Sequence, residues 1–176
     1  MSATGLSLFA GCGGLDLGFS LAGIRPVVAN ERDPVAAETL RVNSNTAIDC
    51  RDVAEARDLL SGGRVDFVFG GPPCQGYSVA GKMDPDDPRS ALVWRFMDIV
   101  EARAARGFVM ENVAALGRLS KWSEVRRALV ERGERAGFET GLFVLNANDH
   151  GVPQSRERLF AVGLKALDCF GKISHA

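Results

Sequence analysis

Short apolar runs that alternate with longer amphipathic stretches constrain this chain most, because that alternation is the pattern of a parallel sheet covered by helices. The runs LSLFA (6–10), PVVAN (26–30), AIDC (47–50), VDFVFG (65–70) and GFVMEN (107–112) read as five strands, each followed by a loop. Leu92, Phe96, Ile99 and Val100 fall on one helical face, as do Trp122, Val125 and Leu129 in a later segment ending near Gly137. These stripes read as core. TGLFVLNA (140–147) and RLFAVGL (158–164) are expected to pair as a terminal antiparallel hairpin around NDHGVPQSRE. The expected fold class is therefore α/β, a mostly parallel sheet closed by an antiparallel hairpin. With 176 residues, 46% of them apolar, one domain over 1–176 suffices, since a chain this long buries about 70% of its unfolded surface.

Four cysteines (Cys12, Cys50, Cys74, Cys169) at irregular spacings, with only His150 and His175 beside them, argue against a disulfide framework or a zinc site; no metal is expected. The apolar N-terminus lacks a basic leader and is broken by Gly11, Gly13, Gly14 and Asp16, so it does not read as a signal peptide, and no apolar run reaches membrane-spanning length. The expectation is a soluble, cytoplasmic protein with no membrane partner. A net charge of −1 does not announce a nucleic-acid binder.

Ligands of parallel α/β sheets sit at the carboxyl ends of the strands. After the first strand comes FAGCGGLDLGF, whose glycines permit a tight turn and close backbone approach to a ligand. A dinucleotide GxGxxG starting at Gly11 would need glycine at position 16. Asp16 stands there, so the turn suits a nucleoside cofactor without a pyrophosphate better than NAD. Glu31 ends the second strand about 20 residues on, where a carboxylate accepts hydrogen bonds from ribose hydroxyls. Asp52, past the third strand, reads either as an acceptor for an adenine amino group, with Val53 beside the ring, or as the cap of the next helical segment.

The fourth strand runs into GGPPCQGYS. Proline fixes φ near −65° and restricts its predecessor, so Pro72 and Pro73 hold the turn in one shape and present Cys74 above the sheet. A free thiol is only a few per cent thiolate at neutral pH, so a cysteine presented this way reads as a nucleophile awaiting activation. The fifth strand brings Glu111 and Asn112 to the same edge, because consecutive parallel strands are neighbours.

Taken together, LFAGCGGLDLGF, Glu31, Asp52, GGPPCQGYS, ENV and GVPQSRERLF resemble the cytosine-C5 DNA methyltransferases, in that family's order and at family-like separations across nearly the whole chain. The resemblance implies a Rossmann-like S-adenosylmethionine-dependent fold acting on DNA, in restriction-modification, at the bacterial nucleoid when bound. It implies that Phe9, Ala10, Gly11, Gly13, Gly14, Glu31, Asp52, Val53 and Pro72 meet S-adenosylmethionine. Cys74, Glu111, Arg156 and Arg158 take the catalytic positions, and Pro73, Gln75, Ser78, Asn112 and Val113 flank the substrate, with Ser78 and Lys82 as phosphate contacts.

Complete members usually continue into a target-recognition domain and a C-terminal segment that returns to the catalytic domain. This chain stops 18 residues after Arg158, so recognition is expected from a separate polypeptide. Position 80 is alanine where some relatives carry a hydroxyl. Three other readings stay open at this level: a nicotinamide-dependent oxidoreductase, a non-catalytic S-adenosylmethionine-binding relative, and a methyltransferase acting on RNA cytosine.

Overall fold

The computed structural model describes residues 2–73 and 91–165. Seven strands form one sheet in the order β3-β2-β1-β4-β5-β7-β6. They are β1 (Ala3–Leu8), β2 (Ile24–Asn30), β3 (Ala47–Asp49), β4 (Phe67–Gly70), β5 (Gly107–Val113), β6 (Phe138–Asn146) and β7 (Glu157–Lys165). The first five pair in parallel, while β7 lies antiparallel between β5 and β6, so the expected hairpin is present and inserts its second strand beside β5. Among the described residues, six α-helices accompany the sheet: α1 (Gly14–Leu21), α2 (Pro34–Asn43), α3 (Asp58–Ser61), α4 (Ala91–Ala102), α5 (Ala114–Arg118) and α6 (Ser123–Arg135).

Period-two alternation decides which face each strand residue serves. Leu6 and Leu8 of β1, Val68 of β4, and Phe108 and Met110 of β5 join one cluster with Val93, Phe96, Met97 and Val100 of α4 and Leu129 of α6. The expected helical stripes are this core: Phe96, Ile99 and Val100 are fully buried, Trp122 and Leu129 nearly so, and Leu92 and Val125 pack at its edge. Phe69, of opposite parity to Val68, stacks on Phe19 of α1 at 3.8 Å between ring centroids. A small second cluster of Ala10, Ala29 and Leu40 seats α2. Burial of each large side chain is worth about 1.5–3 kcal/mol, so the α4 face supplies much of the fold's stability.

The first strand sits earlier than its apolar run suggests. Phe9 takes a positive φ of 54°, which ends the ladder at Leu8 and sends Phe9 and Ala10 into the loop above the sheet. Strand β1 gains its beginning instead from Thr4, whose amide and hydroxyl both donate to Asp66 at 2.8 and 3.1 Å.

Candidate cofactor and catalytic site

Above the carboxyl ends of the parallel strands lie two cavities that share Phe9 and Gly71 as a common wall. The larger, about 550 Å³, is lined by the glycine turn on one side and by Glu111, Arg156 and Arg158 on the other. The smaller, about 160 Å³, is lined by Glu31, Asp52, Val53, Pro73 and Leu92. The sheet order makes this meeting possible, because β1 and β4 are adjacent at its centre and their following loops must diverge to opposite sides.

The glycine turn is shaped by left-handed residues. Gly11 and Gly13 have φ of 56° and 87°, conformations that glycine adopts without strain. A Cβ on Gly14 would meet nothing within 4 Å, so the backbone there is open to a ligand, whereas one on Gly13 would strike Leu40 at 2.4 Å. Gly13 is therefore small for packing and Gly14 for access.

Glu31 reaches across to this turn: its Oε2 accepts from the Gly11 amide at 2.8 Å, and its Oε1 accepts from the Asp33 amide at 2.8 Å. Each oxygen keeps a second lone pair, and the residue lines the smaller cavity. Asp52 opens a turn rather than the helix expected after it, since α3 begins only at Asp58. Its Oδ1 accepts from the Ala54 amide at 2.9 Å, as a cap does, and its Oδ2 pairs with Arg32 at 3.0 Å while the residue lines the smaller cavity. These amide and guanidinium contacts hold its carboxyl below the usual range. Buried Asn30 braces the same region, donating to the carbonyls of Asp49 and Arg51 at 3.2 and 3.0 Å.

At the larger cavity, Glu111 and Arg158 form an ion pair, Nε to Oε1 at 2.9 Å, each about a quarter exposed. The register explains it. Arg158 opposes Val113 across the β5–β7 ladder, two residues from Glu111, so the two side chains are diagonal neighbours on one face. Glu157 points away and binds Arg118 through two bonds of 2.7 and 2.5 Å, leaving both flanking arginines to the cavity. The loop before β7 is pinned by Asn146, whose side-chain oxygen accepts from the amides of Asn148 and Arg156 at 3.2 and 3.0 Å.

Cys74, Gln75 and Ser78 lie outside the described residues. The turn leading to Cys74 is described as far as Pro73. Asn112 is 1% exposed and donates its amide to the Pro72 carbonyl at 3.2 Å, tying β5 to that turn. Val113 packs at the edge of the core. Pro73 stands on the wall of the smaller cavity, while Pro72 is buried behind it. Sequence reasoning did not single out Ser7, Leu15, Leu145 or His150, which also line the larger cavity. His150 immediately precedes the GVPQSRERLF block, which was the available signal, whereas Leu145 carried none.

The model of the C-5 cytosine-specific DNA methylase family matches residues 3–170. This chain belongs to that family. Among curated methylases, M.DdeI of Desulfomicrobium norvegicum, a type II methyltransferase, is 40% identical over 92% of this chain, and M.AquIA of Picosynechococcus, also type II, is 40% identical over 90%. The chain spans 40% of M.DdeI and 70% of M.AquIA. Among solved structures, the DNMT2 of Spodoptera frugiperda superposes with a TM-score of 0.74 at 25% identity, covering 93% of this chain and 50% of that one. The methylases' methyl donor is S-adenosylmethionine. The residues present fit it: an open glycine turn, a carboxylate on the wall of the smaller cavity, and apolar Phe9, Val53 and Leu92 lining that same cavity. No helix among the described residues is long and apolar enough to cross a membrane.

Proposed function

We propose that the chain is the catalytic domain of a DNA cytosine C5-methyltransferase that works through a covalent bond between Cys74 and the base. The observation that carries the proposal is the Glu111–Arg158 pair on the cavity wall, set beside a Pro-Pro turn that Asn112 fixes from below. Cytosine C5 is a weak carbon nucleophile, and each residue answers one part of that difficulty. The Cys74 thiolate adds to C6, its electron pair forming the C–S bond while the C5–C6 π pair moves toward C5. Glu111 holds a proton or hydrogen bond at N3, which carries the displaced charge. Arg158, already bound to Glu111, positions that carboxyl group. S-adenosylmethionine, when bound, supplies the methyl group to C5. Loss of the C5 proton then returns its electron pair to the ring as the C–S bond breaks and Cys74 leaves. General acid assistance at N3 is worth about 10²- to 10⁴-fold. Because C6 is shielded inside a duplex, the base leaves the stack at a cost of a few kcal/mol.

Glu31 is assigned to the ribose hydroxyls, Asp52 and Val53 to the adenine, and the glycine turn to the methionine moiety. Target recognition is assigned to a region outside these 176 residues, because tight DNA binding draws on several Lys and Arg phosphate contacts, whereas the net charge here is −1.

The test uses duplex DNA containing 5-fluorocytosine, whose fluorine blocks the proton loss that releases the enzyme. With S-adenosylmethionine and a recognition subunit supplied, the wild-type chain forms an adduct that survives denaturation and Cys74→Ala forms none. Equal trapping by the alanine variant would show that another group attacks the base.

A further inference from the structure

We infer that Asp16, through its hydrogen bond to Ser7, is a positioning residue for the cofactor loop, holding the first turn of α1 against the end of β1. The inference rests on the cofactor reading above.

Its starting point is an inversion of the usual helix pattern. Asp16 is the one buried residue of α1, 4% exposed, while Leu17 and Leu21 of the same helix are 62% and 81% exposed. A helix placed only for packing buries its leucines and exposes its acid. Here Asp16 Oδ2 accepts from the fully buried Ser7 hydroxyl at 2.9 Å, and Asp16 Oδ1 is buried without a hydrogen-bond partner among the described residues. Burial pushes this carboxyl above its ordinary value. A buried acid with an unpaired oxygen costs the fold stability, so stability does not explain its presence. Such local conflicts concentrate where function needs them.

The geometry says which function. Ser7 stands two residues before Phe9 and Asp16 two residues after Gly14, so the bond spans the entire turn. That turn holds three positive-φ residues, Phe9, Gly11 and Gly13, and Gly13 caps α1 with no side-chain hydrogen bond. Its other ties are the main-chain bonds from Ala10 to the Asn30 carbonyl and from Gly13 to the Ala10 carbonyl, and the Gly11–Glu31 bond. Glu31 also lines the cavity assigned to the nucleoside, so its hold on the turn is shared with the ligand. The Ser7–Asp16 bond is buried and ties the end of β1 directly to the first turn of α1. Ser7 itself lies at the larger cavity beside Gly14 and Leu15, where a shift of α1 would be felt directly.

The test compares Ser7→Ala, Asp16→Ala, the double variant and Asp16→Asn in the full chain, reading S-adenosylmethionine affinity by calorimetry and melting temperature in parallel. Ser7→Ala and Asp16→Ala should each weaken binding about tenfold, the worth of one buried hydrogen bond. The double variant should lose no more than either alone, because one shared bond is removed. Asp16→Asn keeps an acceptor for Ser7 and should bind within about twofold of wild type, with a melting temperature no lower. Wild-type affinity in Ser7→Ala, or losses that add in the double variant, would overturn the positioning role. Should Asp16→Ala fail to fold, Ser7→Ala, which loses one oxygen, and Asp16→Asn decide the question. A wild-type chain that binds no S-adenosylmethionine would sink the cofactor reading itself, and the positioning role with it.

Discussion

Glu31 and Glu111 line two neighbouring cavities that share Phe9 and Gly71; the proposed function gives them separate work, and replacing each in turn tests that division. Glu31→Ala removes the acceptor of the Gly11 amide at 2.8 Å and of the Asp33 amide at 2.8 Å, and in the proposed complex it also removes the acceptor for the ribose hydroxyls. Hydrogen bonds to a charged group contribute about 1.5–3 kcal/mol each. The Asp33 amide is exposed and recovers its bond with water, so its loss is small. The Gly11 amide is partly buried, so losing its tether and the ribose contact together should weaken S-adenosylmethionine binding by about 2–4 kcal/mol, or about 30- to 1,000-fold. Glu111→Gln instead leaves the nucleoside cavity untouched, keeps a side-chain oxygen for Arg158, and removes only the titratable proton position at the base. Cofactor affinity should stay within about threefold while single-turnover methyl transfer slows by about 10²-fold or more. Calorimetric titration of both variants, followed by single-turnover assays with recognition supplied, measures the two effects independently. Equal loss of cofactor affinity in both variants, or affinity within threefold of wild type in Glu31→Ala, would refute the division.

Three further expectations concern the frame around these groups. Because burial raises the Asp16 carboxyl above its ordinary 3.8, its protonation favours the fold fully below that value, and this contribution is lost as pH rises through the folded-state value. The melting-temperature advantage of Asp16→Asn should therefore grow from acid toward neutral pH; a gap independent of pH would contradict it. Arg158→Lys keeps the charge but not the planar fork held at 2.9 Å from Glu111, so single-turnover rate should fall about tenfold or more with cofactor affinity unchanged. Gly70→Ala should abolish folding in expression and melting tests, since its Cβ would lie 1.9 Å from the Leu8 carbonyl oxygen, whereas Gly14→Ala should fold normally and show its defect only in cofactor binding.

Much of this protein is determined locally along the chain. Five apolar runs of strand length separated by amphipathic segments leave few alternatives to a parallel sheet, and the core stripes of α4 and α6 follow from helical periodicity alone. The family blocks likewise lie in contiguous stretches, so the glycine turn, Glu31 and the arginine pair were legible as residues with a chemistry. Which atoms they touch was not. The strand order puts β1 beside β4 and β7 beside β5, and only that order makes Arg158 a diagonal neighbour of Glu111 while Glu157 turns outward to Arg118. Side chains alternate across a strand, so a register shifted by one residue would have reversed the two roles. Asn112 reads as a substrate contact from its place in ENV, yet its parity with Phe108 and Met110 turns it inward to the Pro72 carbonyl. Asp16 reads only as a missing glycine in a nucleotide fingerprint. Its burial against Ser7 depends on how the glycine turn brings α1 back to the end of β1, which no helical or strand periodicity encodes, because a polar residue's partner is chosen by the fold that brings them together.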